Sequence, residues 1–512
     1  MKPIRLIKGF VTVGGWTLMS RVMGFVRDAL IAAFLGAGPA AEAFVVAFSL
    51  PNMFRRFFAE GTLNVAFVPL FSKKLDAQAE AKEFAEDTLS VLASMLIALT
   101  LVATLAMPFL VSAMAAGFIG DARFDLAVDF GRVAFPYIFF IALSALFAGI
   151  LNASGKFAAA AAAPVMLNII LSGAMVGAAW MGWDVAKALI WSVPLAGIAQ
   201  LAIVWRAAAK IGFNLRPRLP RMTPELKTLL ILAGPAALAG GVVQINLLIG
   251  RQVASFGEAG ALQYLNLADR LYQLPLGVVA IAIGVVLLPD LSRRLHAGDG
   301  AGARDASNRA MEFALLLTVP SAVALMIVPE PLISFLFQRG RFTPEDAQKT
   351  AMAVAIYGVG LPAFVMQKVL QPLYFAREDT RTPFRFALWA MIINAVVAIG
   401  LSFAIGYLAA AVATTLAAWT MVWLLWRGTK TMGDDVKIDA RLRTRAPRIF
   451  IASAIMGAYV YGVNILLAPV YDLSRGLAVF IMVASGIAVY FLAAYAIGAM
   501  KLSDLKAAVK RG

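Results

Sequence analysis

The stretch Ser20-Arg21-Val22-Met23-Gly24-Phe25-Val26-Arg27-Asp28 sets two guanidinium groups and a carboxylate inside a long apolar segment. Leu50-Pro51-Asn52-Met53-Phe54-Arg55-Arg56-Phe57-Phe58-Ala59-Glu60-Gly61 does the same in the next one. An ionised side chain at bilayer depth costs from roughly 3 to over 10 kcal/mol, so such residues face a water-filled cavity or a partner. Several cations near one depth predict a cavity for something anionic. Arginine suits phosphate there, because its planar fork makes bidentate bonds to phosphate oxygens and never deprotonates.

Spacing assigns provisional roles. Arg21 and Asp28 are seven apart and share a helix face, with Arg27 off that face. An internal Arg–Asp pair would neutralise only one of the two arginines. Arg56 and Glu60 are four apart and can pair, while Arg55 points about 100° away; Arg55 is the expected substrate-facing cation and Arg56 is partly structural. Pro51 and Gly61 would loosen this helix and expose backbone and Asn52 to a cavity. Further along, Asp269-Arg270 and Lys368 are additional charges in apolar segments. For Asp269-Arg270 the alternative is a local salt bridge, and for Lys368 it is snorkelling to the interface. Glu42, at the outer end of the second segment, is either a gate or a solvated residue.

Other chemistries find no support. The sequence has no G-x-x-x-x-G-K-[ST] phosphate loop, no nucleophile elbow and no His/Asp/Glu cluster for a metal. It has no cysteine, and its one histidine, His296, sits among Arg293, Arg294 and Asp299 in a polar loop. The expectation is a transporter without cofactor or metal. A gradient, the membrane potential or downhill substrate flow would drive it.

The elements that position these residues follow from hydropathy. The chain has 512 residues, 61% hydrophobic and 14% charged, with a mean hydropathy of +0.82. A soluble domain carries about 25% charge, so this is an all-α polytopic membrane protein. Fourteen spans are predicted, at 10–36, 41–71, 86–115, 127–152, 158–181, 185–209, 224–250, 260–290, 306–337, 347–375, 383–404, 406–427, 447–468 and 475–499. The alternating loops place 31 cations on one side and 7 on the other, with 7 of the 45 inside helices. That bias puts both termini in the cytoplasm and makes the first helix an uncleaved one. The net charge of +16 is spread over loops as a topology signal, not gathered as a nucleic-acid surface.

A repeat is also visible. Pro136…Asn168 and Pro362…Asn394 share one separation, and Val68-Pro69-Leu70-Phe71-Ser72-Lys73-Lys74-Leu75 resembles Leu288-Pro289-Asp290-Leu291-Ser292-Arg293-Arg294-Leu295. Six helices per repeat gives two parallel six-helix lobes around a central cationic cavity, plus two C-terminal helices. The expected division is 1–215, 216–432 and 433–512, the last holding helices 13 and 14 and a cytoplasmic tail. The basic stretch from Gly433 to Arg448 reads as a linker, and helices 13 and 14 as an anchor more than a lipid-facing groove.

The helix 1–2 motif, together with Ala43-Phe44-Val45-Val46-Ala47-Phe48, Ala66-Phe67-Val68-Pro69, Ala268-Asp269-Arg270-Leu271 and Phe337-Gln338-Arg339-Gly340-Arg341-Phe342-Thr343, resembles the MurJ (MviN) lipid II flippases of the multidrug/oligosaccharidyl-lipid/polysaccharide exporter superfamily. The resemblance covers essentially the whole chain. It implies a flippase that carries lipid II, an undecaprenyl-pyrophosphate-linked disaccharide-pentapeptide, to the outer leaflet of the bacterial inner membrane for cell-wall synthesis and cell shape. It implies that Arg21, Arg27, Arg55 and Arg270 hold the pyrophosphate. It further implies that Glu42 takes part in gating, and that helices 13 and 14 form a groove for the lipid tail. The protein would be a monomer among membrane lipids and cell-wall synthesis proteins. Two departures stand out. Gln273 occupies a position that is commonly acidic, and helices 7 and 11 offer Gln244, Asn246 and Asn394 where some relatives bind sodium through acids, so no sodium site is expected. A flippase for another polyprenyl-pyrophosphate glycan and a non-transporting scaffold for cell-wall assembly remain the alternatives.

Overall fold

The computed structural model describes residues 6–55 and 67–501. Every regular element among them is helical. The elements form two compact units, Met1–Gln263 with Arg339–Phe342, and Tyr264–Gln338 with Thr343–Gly512.

The first unit runs through α1 (Leu6–Leu35), α2 (Pro39–Arg55), α3 (Val68–Lys74), α4 (Gln78–Leu105), α5 (Met107–Ala115), α6 (Ala122–Ala134), α7 (Tyr137–Ala153), α8 (Ala158–Met181), α9 (Val185–Lys210) and α10 (Pro224–Ser255). The second holds most of α11 (Ala261–His296), then α12 (Gly300–Ile327), α13 (Pro329–Phe337), α14 (Pro344–Phe375), α15 (Arg381–Ile405), α16 (Leu408–Gly428), α17 (Ala440–Leu466), α18 (Ala468–Leu473) and α19 (Arg475–Ala496). Ten helical stretches among the described residues are long and apolar enough to cross a membrane. Within the described residues the predicted spans fall on one helix or on a broken pair; the second, 41–71, runs partly outside them. The chain is an all-α polytopic membrane protein.

Three spans are broken where proline dictates. Pro108 opens α5, Pro136 precedes α7, and Pro329 opens α13. Proline lacks the N–H and crowds the carbonyl four residues back, so a helix restarts with it more easily than it continues through it. By contrast α10 runs unbroken through Gly240 and Gly241.

In the first unit α8 packs on α1 and α9, and α2 on α6, while α10 docks its last turns on α5. There the Ala116 N–H donates to Gln252 Oε1 at 3.1 Å and the Gly117 N–H to Ser255 Oγ at 3.0 Å. A Cβ on Gly117 would lie 2.4 Å from the Ser255 carbonyl, so only glycine admits this approach. The segment 339–342 also belongs to this unit. The Arg341 N–H donates to the Ala33 carbonyl at 2.8 Å, and Gly340, with φ of 62°, lies so near that a Cβ would meet the Ala33 oxygen at 2.1 Å. These units follow packing, whereas a division at 215 and 432 follows the sequence repeat.

In the second unit α12 packs on α14 and α17, α16 on α14 and α15, and α17 on α19. The pairing of α15 with α16 and of α14 with α16 reproduces that of α8 with α9 and of α7 with α9.

The expected linker from Gly433 to Arg448 is largely helical instead. Asp439 caps α17, accepting the Leu442 N–H at 2.6 Å. Two of the arginines that made the stretch look like a linker, Arg441 and Arg445, converge on Glu312 of α12, which is 7% exposed. Arg441 donates Nε and Nη2 to its two oxygens at 3.1 Å each, Arg445 and Arg309 also bond it, and Arg309 bonds Asp439 as well. Helix 13 is thereby fastened to α12 at its first turns. Removing one partner of a buried ion cluster leaves the remaining charges desolvated, at a cost of about 3 kcal/mol. Glu312→Gln should therefore lower the melting temperature of the purified protein clearly, while Lys437→Gln, at the exposed Lys437–Asp434 pair, should not. Equal melting curves for the two variants would refute the fastening role.

Candidate functional site: buried arginines in the first unit

α1 crosses the first unit with Arg27 and Asp28 on its packed side. Both are buried, at 6% and 3% exposure. Arg27 donates Nε and Nη2 to Asp28 Oδ1, at 3.0 and 2.7 Å. Asp28 therefore takes its immediate neighbour, not Arg21 one face-turn earlier as the spacing suggested. The guanidinium folds back along its own helix, which a count of Cβ directions does not capture. Arg21 is exposed and has no ion-pair partner among the described residues.

The remaining edge of Arg27 reaches another helix. Its Nη1 donates to Asn168 Oδ1 of α8 at 3.1 Å, and Asn168 Nδ2 donates to the Ser20 carbonyl at 3.1 Å. The Phe48 ring of α2 lies 5.7 Å from the guanidinium carbon. Arg55 is half-buried at the end of α2. The same Phe48 ring lies 6.2 Å from that of the buried Tyr137 of α7. The Tyr137 hydroxyl donates to Gln200 Oε1 of α9 at 2.9 Å, and Gln200 Nε2 donates to the Ala163 carbonyl of α8 at 2.9 Å. Five helices, α1, α2, α7, α8 and α9, thus meet around Arg27. Asn52 turns its amide back on the Phe48 carbonyl at 2.9 Å and is satisfied within α2. Arg56 and Glu60 lie outside the described residues.

Glu42 is not solvated: its exposure is 0%. Arg123 Nη1 donates to its Oε2 at 3.2 Å, and the Leu262 N–H, in the first turn of α11, donates to its Oε1 at 3.0 Å. Arg123 is held in turn by Asp121, which caps α6, and by the Phe118 ring at 4.4 Å. Three elements therefore end on one buried carboxylate. Sequence reading missed this partnership because Arg123 sits in what reads as an outer loop, with no periodicity to tie it to Glu42.

In the second unit, Asp269 and Arg270 are half-buried on α11. Gln273 Nε2 donates to Asp269 Oδ2 one turn away. The Tyr272 ring stacks against Tyr357 and Phe364 of α14, at 4.9 and 5.1 Å between centroids. Lys368 is exposed on α14. The same unit carries an apolar groove of 470 Å³ between α12, α14, α16 and α17, lined by Leu315, Val319, Trp419, Trp426, Leu442 and Phe450 among others. Arg443 is the one charged residue among those lining it. α17 therefore makes a groove with the second unit's own helices, and α19 is not among its walls.

The arrangement sets arginines on α1, α2 and α11, with an apolar trough in the same chain. Guanidinium groups of this kind suit binding an anion. Comparison with known proteins agrees in kind. Residues 31–483 match the family described as Lipid II flippase MurJ. The chain is 45% identical to the "Probable lipid II flippase MurJ" of Rhizobium meliloti (strain 1021), over 99% of this chain and 97% of that protein. It is 35% identical to the "Lipid II flippase MurJ" of Burkholderia cenocepacia, over 76% of this chain and 77% of that one. A solved structure of lipid II flippase MurJ in an inward closed conformation matches with a TM-score of 0.79, covering 94% of this chain and 98% of that one. At 24% identity, that is a likeness of fold. An inward-facing multidrug resistance MATE family transporter of the MOP superfamily follows at 0.69 and 13% identity, covering 80% and 94%. The chain belongs to the MurJ lipid II flippase family.

Proposed function

We propose that this protein flips lipid II from the inner to the outer leaflet of the bacterial cytoplasmic membrane by alternating access. It is a transporter and not an enzyme. The observation that carries this beyond family membership is Arg27, buried in the first unit and held there by Asp28 and by Asn168 of α8. Arg21, Arg27 and Arg55 bind the pyrophosphate from the first lobe, and Arg270 binds it from the second. Arg27 is paired with Asp28, and Arg21, exposed and without an ion-pair partner among the described residues, adds positive charge that attracts the anion. The lipid tail lies in the groove whose wall is α17, which shields it from the polar path of the headgroup. Glu42 with Arg123, and Asp269 with Gln273, act at the ends of the helices that move. Arg56 and Glu60 form a structural pair, and Lys368 and Asn52 assist with the headgroup.

The lobes are residues 1–215 and 216–432, with 433–512 as the tail-binding appendage. Both termini face the cytoplasm, which the concentration of cations on one set of loops supports. The protein works as a monomer alongside cell-wall synthesis proteins.

In cells depleted of this protein, an impermeant hydrolase added outside should leave lipid-linked wall precursor uncleaved. The parent should restore cleavage, whereas Arg21→Ala, Arg55→Ala and Arg270→Ala should each restore at most about a tenth, as expected when a charge-assisted contact to phosphate is lost. Full restoration by all three, at normal membrane levels, would eliminate the cationic-site model and favour the scaffold reading. Precursor that stays accessible without the protein would point to a different polyprenyl-pyrophosphate glycan as cargo. For orientation, cysteines placed at Lys210 and Arg304 should resist an impermeant thiol reagent in intact cells and react once the membrane is opened. Labelling from outside would reverse the topology.

A further inference from the structure

We propose that Asn168 is a positioning residue for the pyrophosphate-binding arginine Arg27, a role that rests on the reading of Arg27 given above. Asn168 is 5% exposed, in the middle of an α8 built almost wholly from alanine and other apolar residues. A buried amide in such a helix is costly unless both of its ends are bonded. Both are. Oδ1 accepts from Arg27 Nη1 and Nδ2 donates to the Ser20 carbonyl, each at 3.1 Å. These two partners also fix the amide's orientation, because the reverse would set an NH2 group against a cation. Gly24 lies beside this amide: an alanine Cβ there would make ordinary van der Waals contact with it at 3.6 Å.

The division of labour on Arg27 gives Asn168 its role. Asp28 takes the Nε/Nη2 edge, but it is the next residue on α1 and moves with it. Asn168 is on α8, so its bond sets the guanidinium relative to another helix. It does so as a neutral acceptor. A carboxylate in its place would give Arg27 a second anion and add one negative charge beside it, which would weaken its attraction for a diphosphate. An amide orients the cation and leaves its charge balance unchanged.

The test uses the full-length protein in lipid nanodiscs, with undecaprenyl diphosphate as the probe and undecaprenol, which has the tail but no charge, as the control. Asn168→Ala and the nearly isosteric Asn168→Asp should each weaken undecaprenyl diphosphate binding by about tenfold, the effect of one lost charge-assisted hydrogen bond. Undecaprenol binding should not change. In an Arg27→Ala background, Asn168→Ala should add nothing, because the residue acts through Arg27. A full additional loss in that background, or an equal loss for undecaprenol, would mean a merely structural amide and would overturn the proposal. If Asn168→Ala does not fold, Asn168→Asp decides the matter: retained diphosphate affinity at an unchanged melting temperature overturns it. The two readings fail differently. Weakened binding by Arg27→Ala with normal binding by both Asn168 variants removes the positioning role alone. Normal diphosphate binding by Arg27→Ala removes the cationic site and this proposal with it.

Discussion

A charge buried among membrane helices must bring its own counter-charge and hydrogen bonds, and much of this structure is arranged around that requirement. Moving an ion out of water costs several kcal/mol even after relaxation, and a pair recovers this only with good geometry and further donors. Arg27 meets the condition with Asp28 and Asn168, Glu42 with Arg123 and the Leu262 amide, and Glu312 with three arginines. Each solution ties together elements far apart in sequence: α1 to α8, α2 to α6 and the start of α11, α12 to α17. Apolar surface packs helices without choosing strongly between registers. The buried charges choose, because a slip of one residue would leave one of them unpaired.

The same condition separates charges that hold the fold from charges available to a ligand. Glu42 and Glu312 are enclosed and saturated, so they act on the protein itself. Arg27 is saturated too, but by one carboxylate on its own helix and one neutral amide, which together leave it oriented and the pair uncharged. Arg21 is exposed on the same helix without an ion-pair partner among the described residues. On the proposed function, an approaching anion is attracted by Arg21 and guided by the fixed guanidinium of Arg27. Attraction and orientation fall to different residues, which is an economical way to keep several arginines at membrane depth.

The helices were legible in the sequence because a bilayer permits few alternatives. Backbone groups must be satisfied within the segment, so about 20 apolar residues mean a helix, and within the described residues the predicted spans fall on helix. The breaks at Pro108, Pro136 and Pro329 were equally open to reading, but length alone merged the pieces. What the sequence concealed was partnership. Asp28 bonds Arg27 and not Arg21 because a long side chain can fold back past the direction of its Cβ. Asn168 marked the repeat, yet its contact with Arg27 spans 141 positions. Arg441 and Arg445 looked like a solvated linker until Glu312, over a hundred residues earlier, supplied the counter-charge that makes a helix of them. Pairings at such separations leave no periodic trace in one chain.

The departure at Gln273 obeys the same logic. Two carboxylates one helical turn apart repel, and one of them then has to hold a proton or recruit a cation. With Gln273, the amide donates to Asp269 instead, and neither is required. The polar residues of helices 7 and 11, Gln244, Asn246 and Asn394, are likewise amides. Such positions can bond and orient without taking up an ion. On the proposed function, the charge that crosses the membrane here is then chiefly the substrate's own. Moving a pyrophosphate outward across an inside-negative membrane is favourable by about 2.3 kcal/mol per charge for each 100 mV. A flippase of this kind can draw on that potential through its substrate's own charge.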